Sequence, residues 1–232
     1  MKRTNLLILT ILAWTMSSCL IGYTPHEYTY TSYVYKYTCP DTMCLRQDRN
    51  AQNSIAVCFN GKSIKRENSK LYDVIGKKHN DMTYNKIEHR NDPAFPHYYL
   101  AVDFVSINVI SDRDFDETHP AGTSLNDLVR FTAYSPYNYI QRGYQGEPEQ
   151  EWINKLLSEC TANDFLMTTY DNDGYSYYEI DVENGYKSLF GACSLQFVQV
   201  PTLALQHNIT VNILDDAHKK HRAVIDMDWT EQ

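Results

Sequence analysis

Two stretches near the end of the chain alternate apolar and polar side chains with a period of two, and they constrain the fold more than any other feature. They are residues 207–214 and 222–229, and the mostly charged residues 215–220 lie between them. Successive side chains of a β-strand point to opposite faces, so each stretch offers one apolar face to a core. The sequence therefore predicts a terminal β-hairpin with a charged loop.

Strand patterns also occur earlier in the chain. Residues 98–110 are rich in β-branched and aromatic types and carry apolar residues on both faces, which predicts one long central strand. Shorter apolar runs predict strands at 54–59 and 194–200, and a hairpin is predicted over residues 165–182. The remainder of 46–97 is polar and contains turn formers, so loops and edge structure are predicted there.

Only two segments have a helical pattern. Ser124 and Asp127 resemble a capping box ahead of a short helix. Residues 147–160 place proline and acids in a first turn, followed by apolar residues at helical spacing. Strands thus dominate and regular βαβ alternation is missing, so the predicted fold class is mainly β. We expect an antiparallel, immunoglobulin-like β-sandwich with one or two short helices.

The N-terminus carries a signal-peptide pattern. Lys2 and Arg3 precede the apolar run 6–14, which at about 1.5 Å per residue is too short to span a hydrocarbon core of about 30 Å. Residues 16–19, Met-Ser-Ser-Cys, resemble the lipobox of bacterial lipoproteins. Cleavage before Cys19 and its modification with acyl chains such as palmitate are therefore predicted, and an ordinary secretory signal is the alternative.

Residues 20–22, directly after Cys19, contain no acidic residue. In Gram-negative lipoproteins an aspartate at this place signals retention in the inner membrane, and many surface lipoproteins of Bacteroidota carry an acidic run there. The resemblance therefore implies an outer-membrane lipoprotein whose domain faces the periplasm.

The predicted organisation has three parts. Residues 1–18 are the signal peptide, 19–38 a tyrosine-rich tether that becomes a first strand, and 39–232 a single β-sandwich domain. Six tyrosines lie between residues 23 and 37. We favour their packing along a sheet over an exposed aromatic platform for a sugar or peptide.

Five cysteines remain after Cys19: Cys39, Cys44, Cys58, Cys160 and Cys193. An odd number in an oxidising compartment leaves at least one without an intramolecular partner. Cys39 and Cys44 flank the turn-forming pair Pro40 and Asp41, so a small local disulfide between them is the first candidate. A metal site is disfavoured because there is no Cys-x-x-Cys pair. Cys160 and Cys193 are interpreted as packing residues.

Composition and motifs exclude several classes of function. With 21 Lys and Arg against 29 Asp and Glu, the chain has no basic surplus to neutralise phosphates, so no nucleic-acid partner is predicted. There is no Gly-x-Ser-x-Gly, no phosphate loop and no His-Glu-x-x-His. No cofactor, metal or catalytic residue is therefore assigned.

Three weaker patterns remain. The acidic loop 112–117 alternates aspartates as calcium loops do, but lacks the glycine and glutamate of an EF-hand, so a solvated loop is favoured. His218 and His221 are interpreted as exposed loop histidines. A glycosidase-like pair could join Asp114 with Glu179 or Asp181, but an acidic chain contains many such pairs by chance.

The chain resembles a group of short lipoproteins from Bacteroidota that is uncharacterised as a family. The resemblance rests on residues 16–19, 112–131 and 206–215. It implies an exported β-rich domain and provides no catalytic residues to carry over. We therefore expect a non-enzymatic module, anchored in the membrane through Cys19, that binds a protein or a glycan. The alternative is a carbohydrate-acting hydrolase of the periplasm or cell surface.

Overall fold

The computed structural model describes residues 26–48, 51–66, 70–90, 97–170, 176–181 and 185–230. The signal peptide, the lipobox and Cys19 lie outside these ranges. Within them, no helix is both long and apolar enough to cross a membrane. The described chain is mainly β.

The elements follow one another in this order: β1 His26–Tyr30, β2 Val34–Asp48, β3 Ala51–Lys65, α1 Lys70–Lys78, β4 Lys86–Arg90, β5 His97–Leu100, β6 Phe104–Ser111, β7 Val129–Ser135, α2 Tyr137–Gln141, β8 Glu151–Leu156, β9 Ser176–Asp181, β10 Gly185–Phe197, β11 Gln206–Asp215 and β12 Lys220–Asp228. Two 3₁₀ helices, Leu157–Glu159 and Ala162–Phe165, follow β8.

The chain divides into two compact units. In the smaller unit, β1 pairs antiparallel with β4. The larger unit holds the other elements in two sheets. One sheet has the order β5-β2-β3-β10-β7-β8, with β9 also on β10, and the other has the order β12-β11-β6. The β2–β5 pair is parallel, whereas β2–β3, β3–β10 and both pairs of the three-stranded sheet are antiparallel.

Strand β3 shows how period-two patterning distributes side chains in the larger unit. Ile55, Val57 and Phe59 belong to the main core cluster, which also takes in residues of β6, β7, β10 and β11. Ala56 and Cys58 face the other way, into a small cluster with Leu189. Both faces of β3 are therefore covered, and the main cluster joins the two sheets.

A second cluster contains two tyrosines of the tyrosine-rich segment, Tyr33 and Tyr37. Tyr33 and Tyr37 are buried together with Tyr72 of α1, Tyr99 of β5 and Tyr139 of α2. The interpretation that tyrosines here pack along a sheet is confirmed for Tyr33 and Tyr37, whereas Tyr35 is 36% exposed and Tyr23 lies outside the described residues. The predicted boundary between residues 38 and 39 lies inside β2, because the strand already begins at Val34.

The terminal hairpin is confirmed. Strands β11 and β12 pair antiparallel from Gln206 opposite Asp228 to Leu214 opposite Lys220. The predicted strand 54–59 lies within β3, and 194–197 of the predicted strand 194–200 lie in β10. Part of the predicted hairpin over 165–182 lies outside the described residues, and β9 pairs with β10 instead.

The prediction of one central strand over 98–110 is wrong. The segment contains β5, which pairs with β2, and β6, which lies at the edge of the three-stranded sheet next to the central β11. The chain leaves the first sheet and enters the second at 101–103. The buried Asp103 lies at this crossing, and its carboxylate accepts a hydrogen bond from the Met167 backbone N–H at 2.9 Å.

Both predicted helices are also wrong. Residues 151–156 form β8, paired antiparallel with β7, and only a 3₁₀ turn follows. After Ser124 the chain forms turns that bury Leu125 and Leu128 before β7 begins. Conversely, α1 lies in a region predicted as loop, and its buried residues are Tyr72, Ile75 and Gly76. Pairing and burial outweighed local propensity in each case.

The predicted disulfide between Cys39 and Cys44 is not formed. Both residues lie on β2, and five residues of extended strand place their Cα atoms roughly 15 Å apart, far beyond the reach of a disulfide of about 7 Å. Pro40 and Asp41 do not turn the chain back, since β2 passes through them with only a bulge between Pro40 and Thr42.

Candidate functional site

A cleft of about 280 Å³ lies at one end of the three-stranded sheet. At this end β6 and β12 finish and β11 begins. The residues that line the cleft include Arg113 after β6, His207 and Asn208 on β11, and Asp226 and Asp228 on β12. We call this site the Arg113 cleft.

The backbone at Arg113 is fixed by hydrogen bonds to its neighbours. Its N–H donates to Ser111 Oγ at 3.1 Å. The Asp112 carboxylate accepts from the backbone N–H and the Nδ2 of Asn208, both at 2.7 Å. The Asn208 hydrogen bonds lower the pKa of Asp112, because they stabilise its charged form. The Arg113 side chain therefore extends from a turn whose backbone is held in place by hydrogen bonds.

His207 lines the cleft, and its side chain is buried. Its Nε2 lies 2.6 Å from the Ala204 carbonyl, which can only accept, so Nε2 carries the proton. Its Nδ1 then accepts from Ser111 Oγ, at 2.6 Å. Ser111 is only 3% exposed, so its hydroxyl is closed to a substrate and the Ser111–His207 pair serves the fold.

An aromatic layer supports this histidine. The rings of Phe115 and Phe197 stack with centroids 5.7 Å apart, and the Trp229 ring meets both edge-on. Trp229 also packs edge-on against His207, at 5.5 Å, and its Nε1–H donates to Asn53 Oδ1 of β3 at 2.9 Å. The floor of the cleft is thus tied to both sheets.

The carboxylates of the cleft are exposed acceptors. Asp228 accepts hydrogen bonds from the Thr230 backbone N–H at 2.8 Å and from Gln206 Nε2 at 3.0 Å. These bonds, those of Thr230 first, lower the pKa of Asp228. A general acid of a glycosidase requires a raised pKa. Asp228 is therefore suited to accept hydrogen bonds from a ligand and not to protonate one.

Beside the cleft lies a loop with exposed aliphatic side chains, residues 198–205, which we call the aliphatic loop. Four of its side chains are 40% to 55% exposed: Val198, Val200, Leu203 and Leu205. Its backbone is anchored, since Thr202 N–H donates to the Phe115 carbonyl at 2.9 Å and Trp229 N–H donates to the Leu205 carbonyl at 2.8 Å. The aliphatic groups are thus presented from an ordered backbone.

The aspartates of the acidic loop bond to the chain itself. Asp114 Oδ1 accepts from the Ala121 N–H at 2.8 Å, and Asp116 Oδ1 accepts from the His119 N–H at 2.9 Å. Asp112 likewise bonds to Asn208, so each of the three alternating carboxylates has its own partner within the chain. Across the ranges that the structure describes, no group of three His, Cys, Asp or Glu side chains could hold a metal ion.

A second polar cluster lies where α1 meets the β11–β12 turn. Asp103 Oδ2 is bound by His79 Nε2 at 2.8 Å and Lys78 Nζ at 2.7 Å, and Lys78 also pairs with Asp216. Burial alone would raise the pKa of Asp103, but the bonds and charges of His79 and Lys78 outweigh it and hold this pKa at about 2. The cluster fixes the helix to the turn.

The remaining predicted site residues are not brought together. His218 is exposed, but His221 is buried and binds Asp215 Oδ2 through Nε2 at 2.9 Å, so the interpretation of both as exposed loop residues is wrong for His221. Glu179 and Asp181 lie on β9, whose side chains are outside the described part of the structure.

Sequence reasoning missed the cleft. The sequence signal for it was that Asp226 and Asp228 occupy outward positions of a strand, with the buried Met227 between them.

No family model matches the chain, and no curated protein or solved structure is significantly similar to it.

Proposed function

We propose that this protein is a lipid-anchored outer-membrane lipoprotein whose β domain is a non-enzymatic module that binds a protein partner at the Arg113 cleft and the aliphatic loop. The observation that carries the binding proposal is the aliphatic loop, because exposed aliphatic side chains on an ordered backbone mark interaction surfaces. The lipobox at 16–19 carries the anchor, as does the resemblance to Bacteroidota lipoproteins.

The domain that presents this surface is proposed to be a β-sandwich of the immunoglobulin-like kind. Support comes from the main core cluster, in which Ile55 and Phe59 of the seven-stranded sheet share neighbours with Val109 and Ile213 of the three-stranded sheet. The predominance of antiparallel pairing also favours a sandwich over a parallel α/β architecture.

A protein is favoured over a glycan as the partner. Protein interfaces combine an apolar centre with a polar rim. The aliphatic loop has the chemistry of such a centre, and the adjoining Arg113, Asp226 and Asp228 have that of the rim. Of the tyrosines that could stack on sugar rings, Tyr33 and Tyr37 are buried, and Tyr35 is 36% exposed. A hydrolase has less support, because the pKa of Asp228 is lowered.

The anchor is tested by Cys19→Ala. We expect this variant to lose palmitate labelling and to leave the membrane fraction, since the thiol that accepts the acyl chains is gone. Ser18→Ala keeps a small residue before the cleavage site and is the matched control, which should be labelled and anchored as the wild type is. A Cys19→Ala chain that is still labelled and still sediments with membranes would refute the lipid anchor.

The partner surface is tested by cross-linking in native membranes followed by identification of the bound protein. Leu203→Asp should reduce recovery of the partner about tenfold or more, because a charge would be buried at the centre of the interface. Val74→Asp introduces the same charge at an equally exposed aliphatic residue of α1. Equal recovery with the two variants, both folded by circular dichroism, would rule out the aliphatic loop as the binding surface.

A further inference from the structure

Strands β2 and β3 bring two cysteines face to face. In their antiparallel register, Cys44 lies directly opposite Cys58. Directly opposed residues have Cα atoms about 4.5 to 5.5 Å apart and side chains on the same face. A disulfide spans Cα distances of about 4.4 to 6.8 Å. The register alone therefore places this pair within bonding range.

The Cys44 side chain also contacts Cys58 directly. Cys44 Sγ lies 3.6 Å from the carbonyl oxygen of Cys58, to which its thiol donates. The pKa of the Cys58 thiol is raised, first by a hydrogen bond with the Cys44 side chain and then by burial. The Cys44 thiol therefore lies against Cys58 across the strand pair.

The surroundings suit a covalent bridge. Cys58 is fully buried beside Ala56 and Leu189, whereas Cys44 is partly exposed and packs against this cluster from its margin. This face of β3 is opposite to the main core, so joining the sulfurs displaces none of the main-core side chains. The Cys44 thiol is accessible to an oxidant, and Cys58 is held next to Cys44 by the strand pairing.

The other strand cysteines lack this arrangement. Cys39 lies opposite Lys62 in the same strand pair. Cys193 lies opposite Val57 on β3 and belongs to the main core. Neither has a thiol across from it in the register.

We propose that Cys44 and Cys58 form a disulfide that links β2 to β3 when the protein is in an oxidising compartment. The proposal rests on the export that belongs to the proposed function. It assigns two of the five cysteines that follow Cys19 and leaves Cys39, Cys160 and Cys193.

The bond forms by thiol–disulfide exchange with a disulfide-bearing oxidoreductase or glutathione disulfide. The Cys44 thiolate attacks one sulfur of the oxidant, which releases one oxidant thiolate and leaves a mixed disulfide. Cys58 then loses its proton and attacks Sγ of Cys44, and the second oxidant sulfur departs as a thiolate. The two protons pass to the released thiolates, and two electrons pass from the protein to the oxidant.

Peptide mapping tests the pairing in the full-length chain. The chain is purified from the cell envelope, and one portion is reduced and then treated with glutathione disulfide. Both portions are alkylated and digested with trypsin. We expect peptide 37–46, which holds Cys39 and Cys44, linked to peptide 50–62, which holds Cys58. Cleavage before Asp41 separates Cys39 from Cys44 and shows which of them carries the link.

Matched variants supply a second readout. Closing the loop 44–58 should raise the Tm of the oxidised protein about 6 to 12 °C above that of the reduced protein. Cys44→Ala should abolish both the linked peptide and this difference, and Cys39→Ala should retain both. Loss of the difference in Cys39→Ala with its retention in Cys44→Ala would overturn the proposal.

The two portions separate this proposal from the export on which it rests. An alkylated Cys58 after treatment with glutathione disulfide overturns the pairing itself. A linked peptide in the treated portion, with alkylated Cys44 and Cys58 in the untreated portion, supports the pairing and contradicts an oxidising location.

Discussion

At the scale of single residues, buried polar side chains determine where the chain changes direction. Asp103 accepts hydrogen bonds from Met167, His79 and Lys78 at the crossing between the two sheets. Asp81 holds the start of β2 in place. Its carboxylate accepts hydrogen bonds from the backbone N–H groups of Tyr33 and Val34, at 2.7 and 2.9 Å. These carboxylates bind backbone and side chains that lie far apart in the sequence.

Asp103→Asn should reduce the free energy of unfolding by about 2 to 4 kcal/mol, because it leaves the Lys78 and His79 contacts without a buried counter-charge. Urea denaturation at pH 7 measures this loss. Asp226→Asn, at an exposed position, should change stability by at most about 0.5 kcal/mol. Equal stability of the two variants would contradict the role of Asp103.

The same residue predicts a pH dependence. The pKa of Asp103 is about 2 in the folded protein, against about 3.9 in an unfolded chain. A lowered carboxylate pKa stabilises the fold fully above the unfolded value, and the contribution is lost as the pH falls from about 4 to about 2. Urea midpoints across this window should fall more steeply for the wild type than for Asp103→Asn, and parallel curves would refute the assignment.

Ser111→Ala should also destabilise the protein, by about 1 to 3 kcal/mol, because His207 Nδ1 would lose its donor inside a buried site. Ser106→Ala, on the exposed face of the same strand, is the control and should have little effect. Both values follow from urea unfolding. If Ser111→Ala were no worse than Ser106→Ala, the buried hydrogen bond to His207 would not contribute to stability.

At the scale of elements, local patterns failed where strand pairing decided the outcome. Residues 151–156 have helical spacing, but they pair with β7 and place Trp152 against Tyr134, with ring centroids 6.5 Å apart. Asn60 and Gly61 have the sequence of a turn, yet they lie inside β3. A pairing partner distant in the sequence supplies the hydrogen bonds that local propensity cannot foresee.

Gly61 has a defined role in the β2–β3 pair. A Cβ atom built on it would lie 1.8 Å from the Cys39 carbonyl oxygen, so the two backbones approach too closely for any side chain. Gly61→Ala should therefore cost at least about 2 kcal/mol of folding free energy. Asn60→Ala, one residue earlier, should cost less. Similar urea midpoints for the two variants would show that the strands separate without penalty.

At the scale of the larger unit, both sheets contribute to one core and should lose stability together. Ile213→Ala in β11 removes part of the main cluster and should cost about 2 to 5 kcal/mol. Hydrogen exchange of amides in β3 should accelerate along with that in β11. Val224→Ala, at an exposed position of β12, is the control. Unchanged β3 protection in Ile213→Ala would show that the sheets unfold independently.

The sequence by itself determined the mainly β class, the terminal hairpin and the packing of tyrosines such as Tyr33 and Tyr37 along a sheet. These features follow from the alternation of side chains within one segment, which depends on local geometry alone. Only the tertiary structure decided that residues 98–110 divide between two sheets and that 151–156 form a strand. It also decided that Cys44 faces Cys58 and that Arg113 meets Asp226 and Asp228 in one cleft. Each of these depends on the register between segments distant in the chain, and one sequence carries no local signal for such pairing.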